Sequence, residues 1–157
     1  LPGRFTPAGP DHAQVAAVNG VIDYLEAVAA RHGHGQRSVP EQAAAVRHLF
    51  REHESELLQP LLDYLATHPR VRLIGATRAS SRAPTVAFTV AGQSSSALAR
   101  QLADLHIGVG NGNFYAYRLL QALGIDTAEG VVRASFVHYT SAAEVDRLIA
   151  ALAQLLH

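Results

Sequence analysis

The sequence contains no cysteine, no methionine and no tryptophan. A chain without cysteine has no disulfide framework and no thiol chemistry. Lysine is absent as well, because all thirteen basic residues are arginine. That excludes any reaction on this chain that needs a side-chain amine, Schiff-base formation above all. Thirteen acidic residues balance the arginines, so the formal net charge is zero. Nucleic-acid partners go with a basic surplus, and none is expected here. No apolar run nears the about 20 residues of a membrane span, so no membrane partner is expected either. The opening LPGRFTPAGP lacks the hydrophobic core of a signal peptide, which makes cytoplasm the default location. Nine histidines raise the question of a metal. His48 and His53 stand five apart and miss the helical i, i+4 spacing, and no HExxH or Cys/His set exists, so no metal site is expected.

What remains is 157 residues, nearly half of them apolar, enough for one domain with a real core. The first ten residues, rich in proline and glycine, read as extended or irregular. Asp11 is placed to cap a helix running to about Arg31, with Val15, Val18, Ile22, Leu25 and Ala29 as its apolar stripe. Gly33 and Gly35 end it. Ser38 begins a second long helix with Pro40 in its first turn. Pro60 is expected to kink that helix or to start another. From Val71 the period changes to two. Strands are read at Val71–Gly75 and Pro84–Val90, separated by a polar, arginine-bearing connection. A helix capped at Ser94–Ser96 carries Leu98, Leu102 and Leu105. Ile107–Val109 reads as a strand, 111–113 as a loop, and Tyr117, Leu120 and Leu123 as a helix closed by Gly124.

The last block is the most sharply patterned. From Val131 to Val137, Val132, Ala134 and Phe136 share one strand face, and Val131, Arg133, Ser135 and Val137 the other. Ser141 and Glu144 have capping-box spacing, and Val145, Leu148, Ile149, Leu152 and Leu156 form a stripe behind them. The order is two long helices followed by ββαβαβα. The expected class is α+β, with a small, mostly antiparallel sheet covered by helices.

Two stretches bear candidate chemistry. Arg133 offers a planar fork suited to a carboxylate, although an arginine on an outer strand face is more often a solvated charge. The loop GVGNGNFYAY, Gly108 to Tyr117, lacks the sixth-position glycine of the dinucleotide fingerprint, since Asn113 stands there. Asn113, Phe114 and Tyr115 either line a substrate pocket or, for the two aromatics, pack under the loop. His138 either touches substrate or caps the last helix.

The arginine-bearing strand, the turn and helix HYTSAAEVDRL, and the pattern HESELLQPLLDYL at His53–Leu65 resemble the C-terminal end of the class V aminotransferases. These are fold-type I enzymes of pyridoxal 5'-phosphate and include the cysteine desulfurases. The resemblance implies that Arg133 binds the α-carboxylate of an amino-acid substrate, with Asn113, Tyr115 and His138 nearby. It also places Tyr115 where desulfurases carry their nucleophilic cysteine. RFTPAGPDHAQVAAVNGVIDYL resembles the segment leading out of the family's large domain. A glycine–threonine pair there contributes to a cofactor phosphate, and Ala8-Gly9 stands in its place, leaving the backbone N–H of Gly9 as a cofactor contact. The cofactor lysine of the family lies before this region. The resemblance therefore implies a missing N-terminal pyridoxal-phosphate domain, residues 1–37 as the linker and helix leaving it, residues 38–157 as the C-terminal small domain, and a homodimer. No catalytic residue is expected on this chain and no cofactor on it alone. The competing reading is a non-enzymatic, free-standing oligomerisation or binding module.

Overall fold

A computed structural model describes residues 11–156. The order of elements is α1 (His12–Arg31), α2 (Val39–Thr67), β1 (Val71–Ile74), β2 (Thr85–Val90), α3 (Ser95–Asp104), β3 (Gly110–Gly112), α4 (Tyr117–Ala122), β4 (Val131–Ser135) and α5 (Ala142–Leu155). After the two long helices this is the expected ββαβαβα in an α+β fold. The four strands form one antiparallel sheet in the order β1-β2-β4-β3. The chain divides into two compact units, one through Phe50 and one from Arg51.

In the first unit, the Asp11 carboxylate accepts from the backbone N–H groups of Ala13 and Gln14 and starts α1. Gly33, at φ +79°, follows the helix end. At the start of α2 the Ser38 N–H and hydroxyl both donate to the Glu41 carboxylate. Those bonds, the hydroxyl's first, hold the Glu41 carboxyl below the usual carboxylate range. Much of the α1 stripe is exposed: Val15, Val18 and Ile22 lie on the surface, and Ala29 is buried.

In the second unit the core lies between one sheet face and the helices. Leu58, Leu61, Leu62 and Leu65 of α2 meet Val86 and Phe88 of β2, Leu98 and Leu102 of α3, Val132 of β4 and Leu152 of α5. Each large side chain buried this way contributes about 1.5–3 kcal/mol relative to exposure. The alternation expected of β2 is present, with Val86, Phe88 and Val90 buried. The capping box at Ser141 and Glu144 is complete, and it starts α5.

One of the two outcomes expected at Pro60 is removed, and three details differ from the sequence expectation. Helix α2 runs unbroken through Pro60, so no second helix begins there. Leu57, Leu58, Leu61 and Leu62 are buried on both sides of the proline, and that packing holds the helix together despite the lost N–H. Leu105 is the exposed cap residue of α3 rather than core. The third strand is Gly110–Gly112, not Ile107–Val109. Ile107 donates its N–H back to Leu102 and packs with Val109 against the core, so their apolar side chains are used without strand pairing. Finally, β4 stops at Ser135. Phe136 still donates to Pro84, but the Val137 N–H goes to the Thr140 hydroxyl and Thr140 donates to Val137, making a turn.

Candidate functional site

Arg133 lies on an inner strand. Its register partners are Ala87 on β2 and Gly110 on β3. Both are small, so the strand neighbours leave lateral room around the guanidinium. Its faces alternate as expected: Val132 and Ala134 are buried in the core while Arg133 and Ser135 are exposed.

The guanidinium carbon stands 3.9 Å from the centroid of the Phe114 ring. That is a cation–π contact, with the cation over the ring face, and such a contact occupies none of its N–H edges as a hydrogen bond would. Among the described residues no oxygen accepts from those edges. Several other arginines of this unit are tied to carbonyls. Arg72 donates to Leu123, Arg147 to Leu105 and His106, and Arg82 to Ile74, Ala76 and Thr85. Burial of Arg82 lowers its pKa from the usual guanidinium value.

The loop that carries Phe114 is held in an unusual shape. Phe114 and Tyr115 both have positive φ, +48° and +60°. Consecutive left-handed residues other than glycine are costly and persist only where neighbours enforce them. Asn113 is the enforcing residue. Its side-chain oxygen accepts from the Tyr115 N–H at 3.1 Å, and its amide donates to the Thr127 carbonyl at 3.2 Å. Phe114 is half-buried and joins a small cluster of Leu120, Ile125 and Val131 on the outer sheet face. Tyr115, by contrast, is 94% exposed. Of the two aromatics, then, Phe114 packs and Tyr115 does not.

The three glycines before the loop divide by role. Gly108 has open space around it. A methyl on Gly110 would stand 3.0 Å from the Phe114 ring, and Gly112 abuts Gly130. Gly110 is thus required by packing and Gly112 by its positive φ of +115°, and neither by a phosphate cradle.

His138 leaves β4 in the opposite direction from the loop. Gly112 pairs with Val131 and the loop follows it, whereas His138 lies beyond Ser135. Its ring meets Tyr139 edge-on at 5.2 Å. The neighbouring Thr140 carbonyl contacts the His53 ring nitrogen at 3.0 Å, tying this turn to α2. The structure thus joins Phe114 to Arg133, braces them with Asn113, and sets Tyr115 outward on the same loop.

Sequence reasoning missed the stack itself. Its one signal was glycine at position 110, opposite Arg133. It also missed a cavity of about 430 Å³ among Arg72, Gln93, Ser94, Asp126 and Glu129, which Arg133 does not line. Gly9 lies outside the described residues. Without lysine the chain has no amine side chain for the aldehyde of pyridoxal phosphate. These residues alone therefore do not fit that cofactor. Among the described residues no three His, Cys, Asp or Glu side chains converge as a metal site would need. No helix among them is long and apolar enough to cross a membrane.

Comparison with known proteins follows the same lines. The family described as Aminotransferase class-V matches residues 42–148. The aminotransferase-like protein FGM3 of Gibberella zeae is 34% identical over 87% of this chain and 36% of its own length. A probable cysteine desulfurase of Mycobacterium leprae is 28% identical over 99% of this chain and 32% of its own. The apo structure of a cysteine desulfurase from Thermococcus onnurineus superposes with a TM-score of 0.63 at 25% identity, covering 78% of this chain and 33% of that one. The chain spans about a third of the length of the curated relatives it matches.

Proposed function

The chain belongs to the aminotransferase class-V family, and on that premise we propose that it supplies the substrate-carboxylate site of a pyridoxal-phosphate enzyme acting on an amino acid. Members of the family depend on that cofactor. In this reading the chain is the C-terminal small domain, and the lysine that holds the cofactor belongs to a separate, larger N-terminal part. The observation that carries the reading is Arg133, exposed, stacked on Phe114 at 3.9 Å, with its N–H edges uncommitted among the described residues. Two parallel N–H groups of one guanidinium match the two oxygens of a carboxylate, which fixes orientation as well as charge. Tyr115, on the loop that carries Phe114 and exposed, would meet the rest of the substrate in this reading. A phenol does not carry a persulfide, so cysteine desulfuration through a protein persulfide is not the reaction assigned to this loop.

The test is Arg133→Ala in the cofactor-loaded protein. Amino-acid binding should weaken by about 1.5–3 kcal/mol, the range for a hydrogen bond to a charged group. The cofactor absorbance should be unchanged. Equal substrate affinity in the two proteins would return Arg133 to the ordinary surface charges.

One observation favours a second reading, an assembly module. Val15, Val18, Val21 and Ile22 of α1 are 63%, 55%, 57% and 42% exposed, an apolar face of the kind that finds a partner. In the enzyme reading that face meets the lysine-bearing part. In the second it meets another copy.

A further inference from the structure

We infer that Phe114 is a positioning residue for Arg133, holding the guanidinium in place so that its N–H edges stay available to a carboxylate. The inference rests on the carboxylate reading above and adds to it a residue that acts through the arginine.

Three observations converge. The first is the stack itself, 3.9 Å from cation to ring centroid. An arginine on an exposed strand face otherwise samples many rotamers, and each unproductive one weakens binding. A ring in contact with the cation restricts that sampling without occupying a donor. The second is the fixing of the ring. Phe114 sits at φ +48°, in a loop clamped by both groups of the Asn113 side chain. Its ring packs with Leu120, Ile125 and Val131, so it is not free to follow the arginine. The third is Gly110, the register partner of Arg133. A Cβ there would stand 3.0 Å from Cζ and 3.2 Å from Cε1 of Phe114. A methyl at 110 would crowd the ring by a few tenths of an ångström, and a larger side chain would push it off its seat, directly beside the arginine it supports. Gly110, Phe114 and Arg133 therefore behave as one device, in which an absent side chain makes room for a ring and the ring orients a cation.

The test uses the ¹⁵N-labelled, cofactor-loaded protein and the Nε–Hε resonance of Arg133, assigned with Arg133→Lys. In the wild type that signal should be ring-shifted and ordered. In Phe114→Leu it should lose the ring shift and become mobile, while the amides of Val131–Ser135 keep their positions. Gly110→Val, which retains the ring but fills its seat, should do the same and covers the case in which the leucine variant fails to fold. L-alanine, added as the carboxylate probe, should move the wild-type signal and bind both variants roughly fivefold more weakly, as the cost of ordering one freed side chain on binding implies. An Arg133 signal or an affinity that is the same in the variants as in the wild type overturns the inference. A wild type whose ring-shifted signal ignores L-alanine overturns the carboxylate reading instead, and the ring-shift comparison still decides the positioning role.

Discussion

Gly130 and Gly112 meet backbone to backbone: a methyl group on Gly130 would lie 2.1 Å from the carbonyl carbon of Gly112 and 2.2 Å from its oxygen. Both residues have positive φ, +64° and +115°. The contact joins the start of β4 to the end of β3 and so sets where Arg133 stands relative to Gly110. Gly130→Ala combines a forbidden contact with strained backbone, and neither can relax without moving a strand. It should cost about 3 kcal/mol or more. Urea denaturation checks this, and a loss below about 1 kcal/mol would show that the two strands can part cheaply.

The second prediction concerns acid. The Glu144 carboxyl is held below the usual carboxylate range, first by the Ser141 N–H and then by its hydroxyl. A depressed carboxylate contributes stability that is present above its unfolded pKa and lost as pH falls through its folded one. Glu144→Gln should therefore be less stable than the wild type at neutral pH, and the gap should close on acidification below about pH 4. Thermal melts across that range read the difference. A gap that is constant with pH would mean that the carboxylate charge adds nothing to the cap.

The exposed face of α1 predicts self-association. Sedimentation at rising concentration should show the average mass of this chain climbing above the monomer, and Val18→Glu should reverse it by charging the apolar stripe. A monomer at high concentration would leave the lysine-bearing part as the natural cover for that face.

The fourth prediction is chemical. Incubation of this chain with pyridoxal phosphate, then borohydride reduction, should label no side chain, because no lysine is present. Mass spectrometry should place any adduct on the terminal amine. A stoichiometric adduct elsewhere would overturn the assignment of the cofactor lysine to other polypeptide.

Elements fixed by local chemistry were legible before the structure. Asp11, Ser38 and the Ser141–Glu144 box mark helix starts because a cap needs only its next three residues. The alternation at Val86, Phe88 and Val90 shows a face directly. The third strand was not legible, because Ile107 and Val109 have the side chains of a strand and Gly110–Gly112 do not. Pairing there depends on how closely two backbones approach, and that is decided by Gly130, eighteen residues beyond Gly112. The Phe114–Arg133 stack was hidden for the same reason: it needs the register of β3 on β4, which no local pattern states. Alternation alone put Arg133 on the outer strand face, and only the family resemblance singled it out as a candidate.

Tyr115 carries a last consequence. Its side chain is 94% exposed, while the backbone shape beneath it is set by Asn113 and by the packed ring of Phe114. What stands at 115 is thus nearly uncoupled from folding, apart from the exclusion of β-branched residues at φ +60°. A lineage can exchange one reactive or recognition group for another at this position with no repair elsewhere in the scaffold. Gly112 and Gly130, a few residues to either side in space, have no such freedom. Functional divergence in this fold therefore has a cheap place to begin, one residue beyond the ring that steadies the arginine.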